Sequence, residues 1–164
     1  MGFQTVSRDV LQVLQSIDPS GPYSPELYGA IARLVPSVAI EAVVLRERDV
    51  RIEVFLTRRS PQDAAYPDML HSPGSILRAG EKPVDVMRRI GEQDFHVPVS
   101  DFVYVDEVFC HEKRGWFNSR IYLAKLKDEP VGGEWVSVDA LPADVVDHHI
   151  QWIIPMAVAY FKTR

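Results

Sequence analysis

The first part of the chain has apolar residues at spacings of three and four, with polar residues between them. They are Phe3, Val6, Val10, Leu14 and Ile17. This period predicts an amphipathic helix that covers the rest of the protein or a homodimer partner. A helix-breaking stretch, DPSGPYSP, follows, and its Ser24 and Pro25 are typical of a helix start. Residues 1–36 are therefore predicted to be a helical N-terminal extension.

The pattern changes after residue 36, and residues 37–164 are predicted to form a single domain. The runs SVAIEAVVL and VRIEVFLTRR are rich in β-branched residues and are separated by the charged stretch RERD. They predict two paired strands joined by a turn. A long loop with several prolines then extends over residues 60–80. Residues 83–95 have helical composition, with Val86, Met87 and Ile90 on one side.

Two more apolar runs, DFVYVDEVFC and GWFNSRIYLAKL, predict strands joined by the polar turn HEKRG. The stretch GEWVSVDALP predicts a short strand and a turn. The chain from Ala143 to its end predicts a helix interrupted by Pro155. Strands and helices in this order predict an α/β protein with a mixed sheet that is covered by helices on both faces.

Composition narrows the classes of partner. The chain has 164 residues and a net charge of -5, which argues against a nucleic-acid backbone as partner, because that affinity comes from clustered Lys and Arg. Its single cysteine, Cys110, excludes an internal disulfide and fits a reducing cytoplasm. No apolar run approaches about 18 residues, so no membrane partner is expected.

The loop and the helix after it carry a motif. The strand end FLTRRS is followed by Tyr66-Pro67, then by Pro73-Gly74-Ser75 and by Gly80-Glu81. Together with the later GEWVSVDALP, these pieces resemble the Nudix hydrolase family, whose signature is G-x5-E-x7-R-E-U-x-E-E-x-G-U, with U a bulky apolar residue. The resemblance covers about residues 37–141. It implies an α/β/α sandwich and hydrolysis of diphosphate bonds.

The chain departs from that signature at the catalytic glutamates. A gapless alignment matches Ser75, Glu81 and Arg89 to the first glycine, the first glutamate and the arginine. It then places Ile90, Gln93 and Asp94 where the family has its three later glutamates, and His96 at the last glycine. A shift of one residue makes Ile90 the apolar position and Glu92 a retained glutamate. That register needs a deletion in the loop.

These replacements matter because the chemistry is electrostatic. Carboxylates at i, i+3 and i+4 share one helix face and suit Mg2+ or Mn2+, which prefer oxygen ligands. Here Asp94 is the one acid on that face. Ile90 is expected to place apolar bulk where a metal-bound water would lie, and Glu92 is expected to point elsewhere. Asp94 is therefore the candidate metal ligand, and Asp94 and Glu92 are the candidate catalytic residues. An active enzyme would use Mg2+ or Mn2+, and a binding protein would use neither.

Other residues are candidates for holding the loop or the ligand. Gly80, Glu81 and Arg89 are predicted to be structural, with an ion pair between Glu81 and Arg89 that fixes the loop. Glu41 lies within an apolar strand, where a carboxylate needs a partner or a wet cleft. Glu41, Arg59, His71 and Ser75 are the candidate substrate-binding residues.

Three functions stay open at this point. The first is a protein that binds a nucleotide or another diphosphate-linked compound, with metal-dependent hydrolysis weak or lost. The second is an active Mg2+- or Mn2+-dependent hydrolase of nucleoside diphosphate-linked compounds, with a rearranged carboxylate site. The third is an interaction domain without enzymatic activity.

Overall fold

A computed structural model describes residues 5–164. Its first two helices are α1 (Arg8–Ser16) and α2 (Pro25–Leu34). The side chains of Ser7 and Ser24 cap them by accepting hydrogen bonds from backbone N–H groups. Phe3, which the apolar pattern places in the first helix, lies outside the described residues.

Every residue of α1 is exposed, including Val10, Leu11 and Leu14. The expectation that this helix covers the rest of the protein is therefore wrong. An amphipathic period shows only that a helix has an apolar side, and it does not show which surface that side contacts.

Residues 5–164 form eight strands in two four-stranded sheets. The first sheet has the order β5-β1-β7-β6, with β1 parallel to β7. The second has the order β2-β3-β4, with β8 also paired to β3. The strands are β1 (Ser37–Val43), β2 (Leu45–Arg48), β3 (Arg51–Arg58), β4 (Leu70–His71), β5 (Gly74–Ile76), β6 (Val99–Glu112), β7 (Gly115–Leu126) and β8 (Gly133–Ser137).

The strands β1 and β2 are one extended segment that changes sheet at Val44. Beyond that residue, β2 pairs with β3 in an antiparallel ladder. The stretch RERD, predicted to be a turn, is therefore mostly strand, and β1 pairs with β5 and β7 instead of β3. The turn lies at Asp49 and Val50, which have φ values of 51° and 66°. Positive φ at both central residues belongs to the type I′ turn, for which Asp-Val is an unusual sequence.

The predicted helix after the loop is present. It consists of α3 (Pro83–Ile90) and a π-helical turn over Gly91–Phe95, and it ends at His96 in the left-handed conformation. The chain's last helix begins later than predicted, with a π-helical turn over His149–Ile153 that leads into α4 (Ile154–Phe161). Pro155 falls where the two hydrogen-bond patterns meet, so it changes the helix without ending it.

Two apolar cores hold these layers together. One packs α3 and the π-helical turn against the first sheet and β3, through residues such as Ile40, Phe55 and Ile90. The other packs α4 against the opposite sides of the strands, through residues such as Val43, Ile121 and Ile153. The structure thus confirms an α/β fold with a mixed sheet and helices. None of the helices within residues 5–164 is long and apolar enough to cross a membrane.

The helix α2 approaches the start of β7 at Gly115. This glycine has φ of +135°, and a Cβ added to it would lie 2.3 Å from the carbonyl oxygen of Ala32. Gly115 is therefore a position where a side chain would push α2 away from the sheet.

We expect Gly115→Ala to lower the free energy of unfolding by about 1–3 kcal/mol, because it adds overpacking to an unfavourable φ. Gly29→Ala is the matched control. Gly29 lies within α2 with open space around it, so that change should stabilise the helix by about 0.5–1 kcal/mol. Urea unfolding measures both. Equal stabilities for the two variants would show that α2 does not contact the sheet at Gly115.

Candidate functional site

The loop before α3 is fixed by Arg89. Its Nη2 donates to both carboxylate oxygens of Glu81, at 3.1 and 2.8 Å, and to the carbonyl of Ile76 at 3.1 Å. Its Nη1 donates to the Ser75 hydroxyl. Burial alone would raise the pKa of Glu81, but the hydrogen bonds from the Arg78 backbone and from Arg89 lower it. The predicted ion pair is confirmed, and Gly80, with φ of +82°, provides the turn next to it.

Ile90 does not face this site. Its side chain is fully buried in the core with Phe55 and Phe95, so the expectation of apolar bulk at a metal-bound water is wrong. Ile90 continues the buried side that Val86 and Met87 form on α3, and the five-residue spacing of the π-helical turn adds Phe95 to the same side. Ile90 thus occupies an apolar core position, as expected when the signature is shifted by one residue and Ile90 matches its bulky apolar position.

We call α3 and its π-helical turn the box helix, because they carry the second half of the signature. An open cleft of about 330 Å³ lies between the box helix, the end of β3 and the following loop. We call it the cleft. It is lined by side chains that include Arg58, Arg59, His71, Gln93, Asp94 and His96. Asp94 is half-buried, and desolvation raises its pKa to about 6. Glu92 is exposed and lies in a different groove, beside Met87 and Phe102, so the two candidate catalytic acids are not brought together.

The oxygen donors of the cleft do not fit a metal cluster. Within residues 5–164, no group of three or more His, Cys, Asp or Glu side chains is arranged to hold a metal ion. The other acid that lines the cleft, Asp63, binds Arg59 at 2.6 Å and accepts hydrogen bonds from the backbone of Ala65 and Tyr66. Asp94 is left as a single carboxylate, whereas binding several divalent ions needs several hard ligands.

The arginines of the cleft are held in place by neighbouring acids. Arg58 donates to Asp144 at 2.9 Å, and Arg59 is fixed by Asp63. Arg59 also approaches the buried ring of His71. Burial is the main cause that lowers the pKa of His71, to about 3, so this ring is neutral at ordinary pH. The candidate ligand residues Arg59 and His71 therefore lie together, and a second, smaller cavity is lined by both of them with the other two candidates, Glu41 and Ser75. Ser75, in β5, also contacts Arg89.

A smaller cavity of about 60 Å³ adjoins the cleft, with Arg59, His71 and Gly74 in both walls. We call it the chamber. Its polar lining includes Glu41, Glu112, Arg114, Ser119, His148 and His149. Glu41 is 6% exposed, and desolvation raises its pKa to about 7. Its carboxylate lies over Gly74, where an added Cβ would come within 2.1 Å of Oε2.

Four of the chamber residues were not recognised from the sequence. The stretch HEKRG, which contains Glu112 and Arg114, is predicted to be a polar turn, and His148-His149 lies in the stretch from Ala143 onward that is predicted to be helical. In the structure Glu112 is the last residue of β6 and His149 is almost fully buried. The available signal was the alternation along β6, which places Glu112 on the same face as Cys110.

Comparison with known proteins identifies the fold. No family model matches the sequence, and no curated protein matches it. Among solved structures, the NUDIX domain of Shewanella oneidensis NrtR complexed with ADP ribose has a TM-score of 0.61 at 17% identity, over 92% of this chain and 97% of that one. The C. elegans Ap4A hydrolase has a TM-score of 0.61 at 15% identity, over 77% of this chain and 99% of that one.

The S. oneidensis NrtR complexed with a 27mer DNA also matches, with a TM-score of 0.61 at 17% identity, over 77% of this chain. This chain spans 62% of that protein. The argument from net charge that excluded nucleic acid as a partner is therefore wrong. Net charge is a sum over the whole surface, while binding depends on where basic residues cluster locally.

We expect Ile90→Glu to destabilise the protein by about 4 kcal/mol or more, although it restores a family glutamate, because it places an unpaired carboxylate in the core. Gln93→Glu restores another glutamate at an exposed position and should change stability by less than about 0.5 kcal/mol. Urea unfolding compares them. If Ile90→Glu folded with wild-type stability, Ile90 would face the cleft and not the core.

We expect Gly74→Ala to lower the free energy of unfolding by about 1–3 kcal/mol, because its methyl group would displace the buried Glu41 carboxylate. In a Glu41→Ala background the same change should cost much less, since the displaced group is gone. A double-mutant cycle by chemical denaturation measures this coupling. Additive effects would show that the two side chains do not compete for the same space.

Proposed function

We propose that this chain, which has the Nudix fold, binds a nucleotide or another diphosphate-linked compound in the cleft, with metal-dependent hydrolysis weak or lost. One observation carries the proposal. The cleft presents two arginines and two acids, of which Asp63 pairs with Arg59, so Asp94 is the carboxylate left for a metal ion. The cleft is therefore better suited to an anion than to a cluster of divalent cations.

The arginines supply the attraction for phosphate. A guanidinium presents a planar fork of N–H donors, and a charged hydrogen bond to phosphate is stronger than a neutral one. Asp63 holds Arg59 from one side, so this side chain loses little conformational freedom when a ligand binds. The NrtR domain with bound ADP ribose shares the fold, and this supports ADP-ribose as the first compound to test.

The weak hydrolysis follows from the ligand set. In the family signature, diphosphate hydrolysis depends on carboxylates that bind divalent metal ions, and these ions place positive charge at the phosphates. Removing one well-placed electrostatic group from an active site costs about 10²–10³ in rate. In the gapless register the three positions hold the buried Ile90, the amide Gln93 and the shorter Asp94. In the shifted register they hold Arg89, Glu92 and Gln93, so neither register restores the three carboxylates.

A rearranged hydrolase is the second candidate, and one observation favours it. The chamber next to the cleft holds two buried acids, Glu41 and Glu112, which could take over part of the chemistry. A rearranged hydrolase requires metal-dependent turnover, so hydrolysis assays with and without Mg2+ distinguish the two candidate functions.

Isothermal titration with ADP-ribose in EDTA tests the binding proposal. We expect saturable binding without metal, weakened about tenfold or more in Arg59→Gln because a charged hydrogen bond to phosphate is lost. Arg51→Gln, at the exposed opposite end of β3, is the matched control and should bind as wild type.

The hydrolysis proposal is tested on the same compound with Mg2+ and with Mn2+. We expect turnover to be near the level measured without protein and to be unchanged in Asp94→Asn. The affinity of Asp94→Asn for ADP-ribose should equal or exceed that of the wild type, because a negative charge near the phosphates is removed. Robust turnover with metal that Asp94→Asn abolishes would favour the rearranged hydrolase. Absence of any ADP-ribose binding would reject this ligand class for the cleft.

A further inference from the structure

The chamber contains a buried carboxylate oxygen that lacks a donor. Glu112 is 8% exposed, and its Oε1 pairs with Arg114, at 2.9 Å from Nε and 2.7 Å from Nη2. Its Oε2 is buried and has no hydrogen-bond partner among residues 5–164. His148 Nε2 is 3.8 Å away, beyond hydrogen-bond distance. A buried charged acceptor without a donor is costly and uncommon, so it calls for a partner.

The hydroxyl of Tyr66 is close to this carboxylate but does not reach Oε2. Desolvation first, and then a hydrogen-bonding interaction with Glu112, raise the pKa of Tyr66 to about 12, so the two groups are neighbours. The Tyr66 hydroxyl does not complete a hydrogen bond to Oε2. Tyr66 also packs against Ala65 and Val146, which holds its ring in place.

Glu41 adds a second acceptor to the same chamber. The hydroxyl of Ser119 donates to its Oε1 at 3.3 Å, a long and weak hydrogen bond, and its Oε2 lies over Gly74. Glu41 and Glu112 are close enough that Glu112 contributes to raising the pKa of Glu41, after desolvation. Two carboxylates therefore share one small space.

The cations around the chamber do not balance these two acids. Arg114 pairs with Glu112, and Arg59 pairs with Asp63. His71 and His149 are buried, and desolvation lowers the pKa of each, so both are neutral. Desolvation also lowers the pKa of His148. With both carboxylates ionised, the chamber has one negative charge in excess and two free acceptor oxygens.

These properties define the ligand group that fits. The group must donate at least two hydrogen bonds, be neutral or positively charged, and fit within about 60 Å³. A divalent ion is not suited, because the described residues offer no set of three metal ligands. An amino group meets each condition, since its two or three N–H bonds diverge and can reach two acceptors at once.

We propose that the chamber is the subsite for an amino group of the molecule whose phosphates lie in the cleft, with Glu112 and Glu41 as its hydrogen-bond acceptors. This inference rests on the proposed function. One molecule can occupy both spaces because the chamber and the cleft share Arg59, His71 and Gly74. The ligand is then a nucleotide with an exocyclic amine, such as an adenine or cytosine compound, in preference to its oxo counterpart.

Paired ligands that differ at that one group test the subsite. Isothermal titration with CDP against UDP, and with ADP against IDP, compares an amine with a carbonyl at the same ring position. At pH 8, above the pKa of about 7 of Glu41, wild-type protein should bind the amino member of each pair about tenfold or more tightly, because an oxo group would then face two carboxylate acceptors without a donor. Glu112→Gln should abolish or reverse the preference, since its amide can donate to an oxo group.

The control is Glu107→Gln on the same strand, where the carboxylate is exposed and pairs with Arg120 at 3.6 Å outside the chamber. It should keep the wild-type preference. Should Glu112→Gln fail to fold, Glu41→Gln replaces it, with loss of the amino preference as the expected result. Equal affinity of the wild-type protein for both members of each pair would overturn the subsite. Equal affinity is the result expected if only water fills the chamber.

A probe without phosphate separates this inference from the proposed function. Methylammonium has N–H donors, while tetramethylammonium has the same charge and none. Titrations followed by NMR of the His148 and His149 ring protons should show saturable shifts with methylammonium alone, lost in Glu112→Gln. Such shifts without any nucleotide binding would keep the subsite and reject the proposed function. Absence of shifts together with absence of an amino preference would reject the subsite.

Discussion

The guanidinium of Arg89 joins three parts of the chain that the site needs in fixed relation. The Arg89 side chain extends from the box helix α3, binds Glu81 at the end of the loop, and donates hydrogen bonds to Ser75 and Ile76 in β5. Because β5 pairs with β1, the same contacts hold Gly74 opposite Glu41. A lysine could not replace it, since an ammonium lacks the planar fork that reaches a carboxylate and two other acceptors together.

The two spaces beside this loop differ in electrostatic character. The cleft is bordered by Arg58 and Arg59, which pair with Asp144 and Asp63, whereas the chamber holds carboxylates that its histidines do not neutralise. Low dielectric in the chamber strengthens any charged hydrogen bond formed there, and it makes an unmatched group correspondingly costly. A ligand with phosphate at one end and hydrogen-bond donors at the other would have only one favourable orientation.

Much of the fold could be predicted from local signals. The box helix has a clear apolar period, and the hairpin of β6 and β7 follows from two long β-branched and aromatic runs. The contact between Glu81 and Arg89 followed from the resemblance. The burial of Ile90 agrees with the apolar period of Val86, Met87 and Ile90 and not with the gapless alignment, whereas the π-helical turn after it could not be predicted, because it leaves little trace in composition. The chamber was missed for another reason: Glu112 and Arg114 come from the connection between β6 and β7, whereas His148 comes from the start of the last helix. Polar residues at strand and helix ends look solvated until the tertiary fold covers them.

The change of sheet at Val44 has a consequence for cooperativity. Residues on one side of Val44 hydrogen-bond to β5 and β7, while its own carbonyl accepts from Phe55 N–H and the residues after it pair with β3. One continuous segment thus belongs to both sheets, so neither sheet can unfold without disrupting the hydrogen bonds of that segment. Its amide hydrogens should exchange with solvent only through openings close in free energy to global unfolding, while those of α1 exchange through local fraying.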